Sequence, residues 1–514
     1  MERVWRIMSS KALVTVWRFL GLHVLYRLPV RVEQCTQPVE TDDVYPVHST
    51  DECTQHRGTI LVWTLAFNDI LDPGLLQKSL TELLNIGDWR KFGGRFRVKN
   101  DGCLEIHVPR PFTEDRPAIA FHHSSFQCNI EEHPSGKTYP RATKNPATLA
   151  PPDYHGLAFP TGSPRTLADL LNTDRPLLTL HVSSFENATL VTLTYSHIIM
   201  DAMAMGVLLH AWSLVLSGKS SQVPTLLGTR EDSLDAVASN LEAPAASEQD
   251  YIMGQKPLKG WRMGIFILHY VWNLLWNSIH NAETKVCFLP KKALENLRER
   301  AQNDLASLSG HQKPPFVSDG DIISAWYSTI VARSLSRSSP VTLMQTLNLR
   351  FRFAALKNKG VYMGNMLLPG YTLLPQHAEQ LSLGQIAFQH RKDLLEQTTE
   401  PNMLTHLRET LARKGRFLLF GPSHAVFAPV SNWTKGDFFA ARFEDAVTGV
   451  GDTSPDRKNP PGTITFHWAT IKGSVHIAPI LIVLGRDLEG NYWFQSCLRR
   501  SAWLILEQAL RELV

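Results

Sequence analysis

Hydrophobic and polar positions repeat with two different periods along this chain, and each change of period marks an element. Residues 59–67 (TILVWTLAF) are almost continuously apolar and read as a strand. Asp72-Pro73 then opens a helix through LLQKSLTELL, whose leucines recur at helical spacing. In WRKFGGRFRVKNDGCLEIHVP the triplet Asn100-Asp101-Gly102 is a turn between two strands. Residues 126–176 are rich in proline, glycine and polar side chains, so a long surface excursion is expected there. The run LLTLHVSSFENATLVTLTYSH predicts two strands joined at Phe185-Glu186-Asn187. In the second of them Val191, Leu193, Tyr195 and His197 share one parity, and Thr192, Thr194 and Ser196 the other. His197 therefore ends a strand on its more apolar face. A helix follows, AMAMGVLLHAWSLVLSG, and stops at Gly218.

The second half repeats this mixture. Residues 220–260 are polar, with proline, alanine and serine, and are expected to link two domains. The apolar RMGIFILHYVWNLLWNSIH carries one polar stripe of His269, Asn273, Asn277 and His280. It is expected to pack across the domain junction, with a membrane-surface helix as the second reading. VCFLPKKALENLRERA reads as strand then helix, and VSDGDIISAWYSTIVARSL as a helix capped by Ser318 or Asp319. VTLMQTLNLRFRF reads as a strand, and residues 462–498 as strands with an Asp-Leu-Glu-Gly-Asn turn before a terminal helix. Strands and helices do not strictly alternate, which predicts an α+β fold. The expected divisions are an N-terminal extension at 1–44, a first domain at 45–219, a crossover at 220–284 and a second domain at 285–514.

Composition narrows the class. A chain of 514 residues exceeds one ordinary core, and 43% hydrophobic with 19% charged residues is a globular balance. A net charge of +4 without a dense Lys/Arg block argues against nucleic acid as partner, while leaving room for a local basic patch that meets an anionic cofactor. The six cysteines form no C-x-x-C, so neither a zinc site nor a disulfide scaffold is expected, and no metal-ligand cluster is evident. A reducing, cytoplasmic setting fits this usage, at most peripheral to an internal membrane. The N-terminal apolar run is broken by Arg18 and His23 and lacks a small-residue cleavage site, so neither a signal peptide nor a spanning helix is expected. The sequons at Asn187 and Asn432 lie beside expected core strands and are read as coincidental.

The candidate chemistry lies in TLTYSHIIMDAMAMG. His197 precedes Asp201 by four residues across a strand, a turn and a helix start. Spacing alone decides little, because a chain with 20 histidines is expected to hold an H-x-x-x-D match about once by chance. An aspartate at a helix start can cap it or pair with a cation. A histidine there, without further context, is a satisfied core residue.

Context comes from five segments in order: WRKFGGRF, SHIIMDA, FVSDGDIISAW, LNLRFRF with VYMGN, and SNWTKGDFF. The set resembles the BAHD-type acyl-CoA-dependent O-acyltransferases, and the resemblance covers roughly residues 45 to 510. It is most similar to their fungal branch, which acts on secondary metabolites such as terpenoids. The resemblance implies two α+β domains like chloramphenicol acetyltransferase, with a channel at their interface. It implies that His197 is the general base, and that acyl-CoA, most commonly acetyl-CoA, is a co-substrate rather than a bound cofactor. It makes Ser431 and Trp433 the oxyanion candidates. Asp201 becomes structural, with Arg350 or Arg352 as its partner. The other partner is a hydroxylated small molecule, and a monomer suffices.

Three positions depart from the family pattern. Ala202 follows the aspartate where glycine is usual. Arg442-Phe443-Glu444-Asp445-Ala446 stands where a plant-type D-F-G-W-G would fall, which touches domain docking rather than chemistry. Ser196 stands where peptide-forming condensation domains carry a second histidine. N-acylation, a carrier-protein donor, or a catalytically silent binding relative are the alternatives. No role follows for His424, His467 or His476, and Gly364-Asn365 reads as a turn.

Overall fold

The near-continuous apolar run at 60–67 is buried along its whole length and becomes the second strand of a five-stranded sheet. The structure, a computed structural model, describes residues 39–513 except 154, 244, 248–250, 280–281, 310–312, 336, 358–359, 414–417 and 473–478. Most of the N-terminal extension, His280 and His476 lie outside the described residues, as does the side chain of Asn277. In chain order the strands of the two main sheets are β1 (Ile60–Phe67), β2 (Ala120–Ser125), β3 (Ala147–Leu149), β4 (Thr179–Ser184), β5 (Thr189–Ser196) and β6 (Glu283–Leu289). Then come β7 (Val341–Asn348), β8 (Leu367–Leu374), β9 (Val426–Asn432), β10 (Phe466–Lys472), β11 (Ile480–Arg486) and β12 (Tyr492–Leu498). The first sheet runs β10-β1-β5-β4-β2, the second β8-β7-β9-β11-β12-β6-β3. Parallel pairs occur at β4-β2, β7-β9 and β9-β11. This mixed sheet order is the α+β architecture expected from the sequence.

Each sheet borrows a strand from the other half of the chain. β10 pairs along all of β1, from Phe466 opposite Ala66 to Lys472 opposite Ile60. β3 pairs with β6 at the edge of the second sheet. A cut after residue 219 would therefore strip both sheets of a strand. The segment between β9 and β10 is fastened to the first half as well. Phe443 packs edge-on against Phe67 (5.3 Å between centroids) and Trp212 (5.1 Å), and the Arg442 amide donates to Ser213 Oγ (3.0 Å). Arg457 grips buried Asp69 with two hydrogen bonds of 2.7 Å. Docking here runs through aromatic packing and that ion pair.

The helices follow their sequence signals. In α1 (Pro73–Leu83), Asp72 accepts from the amides of Gly74 and Leu75, with Pro73 at the first helical position. α2 (Ala202–Leu216) begins at Asp201, and the chain turns away at Gly218 with φ +68, where the Lys219 amide reaches Leu214 O (2.8 Å). Trp212 of α2 donates to Ser79 of α1 (2.8 Å), and both helices share one core with β1 and β5. β5 is buried on both faces, so its threonine parity needs internal partners; Thr192 finds one in Thr64 Oγ1 at 3.0 Å.

Three expectations need correction. Residues 126–176 are not only a surface excursion: they contain β3, and Leu157, Leu167, Leu170 and Leu171 are buried in the first core. Their loop-like composition hid two short helices. Residues 220–260 are not a free linker. Leu226–Leu227 pairs with Val361–Tyr362, and the helix Ser233–Ser239 buries Leu234 in a cluster with Met403 and Leu404. The strand VTLMQTLNLRFRF stops at Asn348, whose side chain accepts from the Arg350 amide (3.0 Å) and starts a tight turn. Helix α3 (Gly260–Ile279) rests Phe266 and Tyr270 on Phe427 of β9 and leaves Trp261, Leu268 and Trp272 exposed. From its polar stripe, Asn273 accepts from Arg499 (3.4 Å). No described helix is long and apolar enough to cross a membrane. α4 (Asp319–Arg333) is capped by Ser318, in a capping box with Asp321.

Candidate active site

Sheet register places His197. Its amide donates to Thr59 O (2.9 Å), one step beyond the pair of Ser196 with Ile60, so β1 holds the residue as if the ladder continued. Its carbonyl accepts from Asn365 Nδ2 (2.9 Å), and that same group reaches Asp51 Oδ1 (2.9 Å). Asn365 is buried and its own amide also donates to Asp51. The bend read as a mere turn is thus the clasp that fixes the backbone of His197.

The imidazole is held differently. It lines the cavity, yet protein surrounds enough of the ring for burial to push it down to about 4, with the neighbouring His56 adding to the effect. The residue's own backbone carbonyl, Asp201 and Asn365 oppose this more weakly. The Nδ1 atom is buried and no hydrogen bond satisfies it. The ring of His56 stacks flat on it, with centroids 4.4 Å apart and planes 4° from parallel. His56 escaped the sequence reading because no spacing or periodic signal links it to the H-x-x-x-D motif.

Asp201 is saturated. Oδ1 accepts from the Ala204 amide (2.9 Å) and Arg350 Nη2 (3.0 Å). Oδ2 accepts from Arg350 Nη1 (2.9 Å) and the Met366 amide (3.2 Å). Arg350 in turn donates to Tyr362 O (2.8 Å) and Gly364 O (2.6 Å). Of the two arginines, Arg350 is the partner of Asp201. Arg352 leaves the turn in the other direction, is exposed, and lines the cavity with Arg391.

Ser431 and Trp433 also meet the cavity, at the end of β9. The indole N–H of Trp433 donates to Ser431 Oγ (2.9 Å), and its ring leans on Trp63 (4.8 Å between centroids). The indole hydrogen is therefore spent inside the pair, while the Ser431 hydroxyl hydrogen remains to be donated. A glycine contact sets this segment against the motif. A Cβ on Gly206 of α2 would lie 2.3 Å from Gly436 O, so only a bare Cα lets the turn after Trp433 approach.

The cavity between the sheets has a volume of about 1260 Å³. That exceeds the roughly 300–1,000 Å³ of a single small-molecule pocket, which suits two reactants. Its walls include apolar Leu61, Trp63, Met344 and Ile482, and its charged side holds Arg352, Arg391 and Lys435 together with Asp319 and Asp321, the last 3.6 Å from Arg391. An uncharged imidazole and a hydroxyl donor on one cavity suit proton abstraction beside a carbonyl. Among the described residues no group of three side chains could hold a metal ion.

No protein-family model matches the chain. Curated relatives match it almost end to end. It is 32% identical over 495 residues to O-acetyltransferase PaAT-2 of Phomopsis amygdali, covering 94% of this chain and 100% of that one. It is 32% identical over 506 residues to acetyltransferase BOT5 of Botryotinia fuckeliana, covering 93% and 92%. Among solved structures, TRI101 of F. graminearum complexed with coenzyme A and deoxynivalenol shares the fold, with TM-score 0.60 at 13% identity over 91% of this chain and 97% of that one. With such identity running through nearly the full length of both partners, the chain belongs to the fungal, secondary-metabolite branch of the BAHD-type acyl-CoA-dependent O-acyltransferases.

Proposed function

We propose that the cavity moves an acetyl group from acetyl-CoA to a hydroxyl of a lipophilic, hydroxylated terpenoid, with His197 as general base. The observation that carries this reading is an imidazole kept uncharged on the cavity wall. The acceptor oxygen attacks the thioester carbonyl as its proton passes to Nε2 of His197. The carbonyl electrons move to oxygen, and the Ser431 hydroxyl, oriented by Trp433, donates to that oxyanion. Collapse breaks the C–S bond, and the imidazolium returns its proton to the departing thiolate. The products are an ester and free CoA, and the base is regenerated.

Asp201 and Arg350 are positioning residues that hold the loop under the base. The acceptor class is supported by the largely apolar walls and by deoxynivalenol in the TRI101 complex. Arg352, Arg391 and Lys435 suit the phosphates of free CoA, which favours it over a carrier-bound donor. The cavity is lined by residues of one chain, so a monomer suffices. Cys103, Cys128, Cys287 and Cys497 are free thiols, in keeping with the cytoplasm.

The test incubates the protein and its His197→Ala variant with acetyl-CoA and a panel of hydroxylated terpenoids, with products read by mass spectrometry. An acetyl mass gain that vanishes in the variant is expected. A gain that survives removes His197 from the mechanism.

A further inference from the structure

A catalytic histidine ordinarily has its second ring nitrogen fixed by a carbonyl or carboxylate, which sets tautomer and ring plane. At His197 only the residue's own backbone carbonyl and the Asn365 side chain come near the ring, and neither closes a hydrogen bond to Nδ1. Its Nδ1 makes no hydrogen bond, and the carboxylate of its own motif is consumed by Arg350, Ala204 and Met366. Asn365 donates to the backbone carbonyl of the residue. The group that meets the ring is His56, face to face at 4.4 Å and 4°.

His56 is itself well anchored. It is 6% exposed, in the short helix Thr54–Arg57, and its Nδ1 lies 3.0 Å from Thr50 O and 3.3 Å from Asp51 O. Carbonyl oxygens only accept, so Nδ1 carries the hydrogen and a neutral His56 keeps its lone pair on Nε2. The ring cannot turn without losing both bonds. A flat surface so fixed restricts His197 to one plane.

We propose that His56 is a positioning residue for the transfer reaction, whose anchored ring takes over the role of the missing Nδ1 partner and sets the plane of the His197 base. The inference rests on the acyl-transfer reading. It has an electrostatic consequence. Two stacked imidazoles disfavour a shared double charge, so His197 begins the reaction neutral and becomes the one cation of the pair when it takes the alcohol proton. The charged groups facing the pair are Asp51, beneath His56, and Asp201, already neutralised by Arg350; Lys91 faces Asp51 as well. Burial holds His56 itself below its ordinary value as well.

Two variants that fill the same buried space separate plane from charge. His56→Phe keeps a flat ring without charge, and His56→Leu keeps volume without a flat ring. Circular dichroism confirms that each is folded. For His56→Leu, kcat is expected to fall about 10- to 100-fold with KM for acetyl-CoA unchanged, since a small misplacement of the base is costly. His56→Phe is expected to recover most of that loss. In ¹³C-histidine NMR, with the signal assigned by its loss in His197→Ala, the His197 titration is expected to move to higher pH in both variants, because the second ring that competes for the proton is gone. Equal kcat in Leu, Phe and wild type, or equal losses in both variants, overturns the positioning role. A His197 titration that stays in place in both variants overturns the coupling, whatever the enzyme does. If wild type transfers no acyl group at all, the acyl-transfer reading falls, and the titration still decides whether the two rings act on each other.

Discussion

His197 and Asp201 stand four residues apart and live in opposite surroundings. The aspartate accepts four hydrogen bonds and is locked to Arg350 from the second half of the chain. The histidine ring has an unsatisfied nitrogen, a stacked neighbour and an edge on the cavity. Asp201 is committed to Arg350, and Asn365 to the His197 carbonyl and Asp51. The contrast shows how one short motif divides labour: one side chain fixes the loop, and the other stays free to accept a proton.

The largest expected effect is on the free side. His197→Ala should cut kcat by about 10²- to 10⁴-fold, the usual worth of a general base, with little change in Tm. On the locked side the signature should be reversed. Arg350→Met leaves Asp201 buried without its cation, and removing one partner of a buried pair costs about 3–5 kcal/mol. Urea unfolding should show that loss, and residual activity per folded molecule should fall less than in His197→Ala. If Arg350→Met were as stable as wild type yet inactive, the division of labour would be wrong.

The sequence displayed the locked side more clearly than the free one. H-x-x-x-D on strand–turn–helix placed His197 and Asp201, and the N-cap reading of Asp201 follows from residue type and position alone. The choice between Arg350 and Arg352 was hidden, because on a continuous strand the two would share a face. Asn348 ends the strand and turns the chain, so Arg350 goes inward and Arg352 toward the cavity mouth. His56, Asp51 and Asn365 have no periodic signal at all. They meet His197 through tertiary contacts between distant segments, which local pattern does not encode. The same holds for β10: its strand character was plain, but its partner β1 lies some 400 residues earlier. Short buried pieces within 126–176 were masked by the polar and proline-rich residues around them.

A smaller effect is expected from the Ser431–Trp433 pair, which sharpens what the free side needs. Ser431→Ala removes the donor that faces the cavity and should lower kcat by about 10²-fold, near the lower end for an oxyanion donor. Trp433→Phe removes only the bond that orients that hydroxyl and keeps the ring against Trp63, so its loss should be the lesser of the two. Steady-state kinetics with a saturating acceptor would check the order. The opposite order would make the indole N–H the direct donor.

The smallest effect separates the reactive histidine from its merely buried counterparts. Burial pushes His181, His390 and His406 down to about 4 and His467 to about 3, against an ordinary 6.5. For a histidine depressed in the folded state, the unfolded chain takes up the proton first. Stability is therefore full above pH 6.5 and declines as pH falls from 6.5 toward 4, by up to about 1.4 kcal/mol per pH unit for each such group. His197 is depressed into the same range, so its protonation alone would spare activity until near pH 4. Activity on the acid side should then follow stability. Urea midpoints at pH 7, 6 and 5 should fall in step with activity. In His467→Phe, which removes one such group from the aromatic contact with Trp63 and Phe438, the midpoint should depend less steeply on pH. A midpoint constant from pH 7 to 5 would mean that these rings are already charged or hydrated in the folded protein. The low value of His197 would then need a local cause of its own, and the stacked His56 is the group in position to supply it.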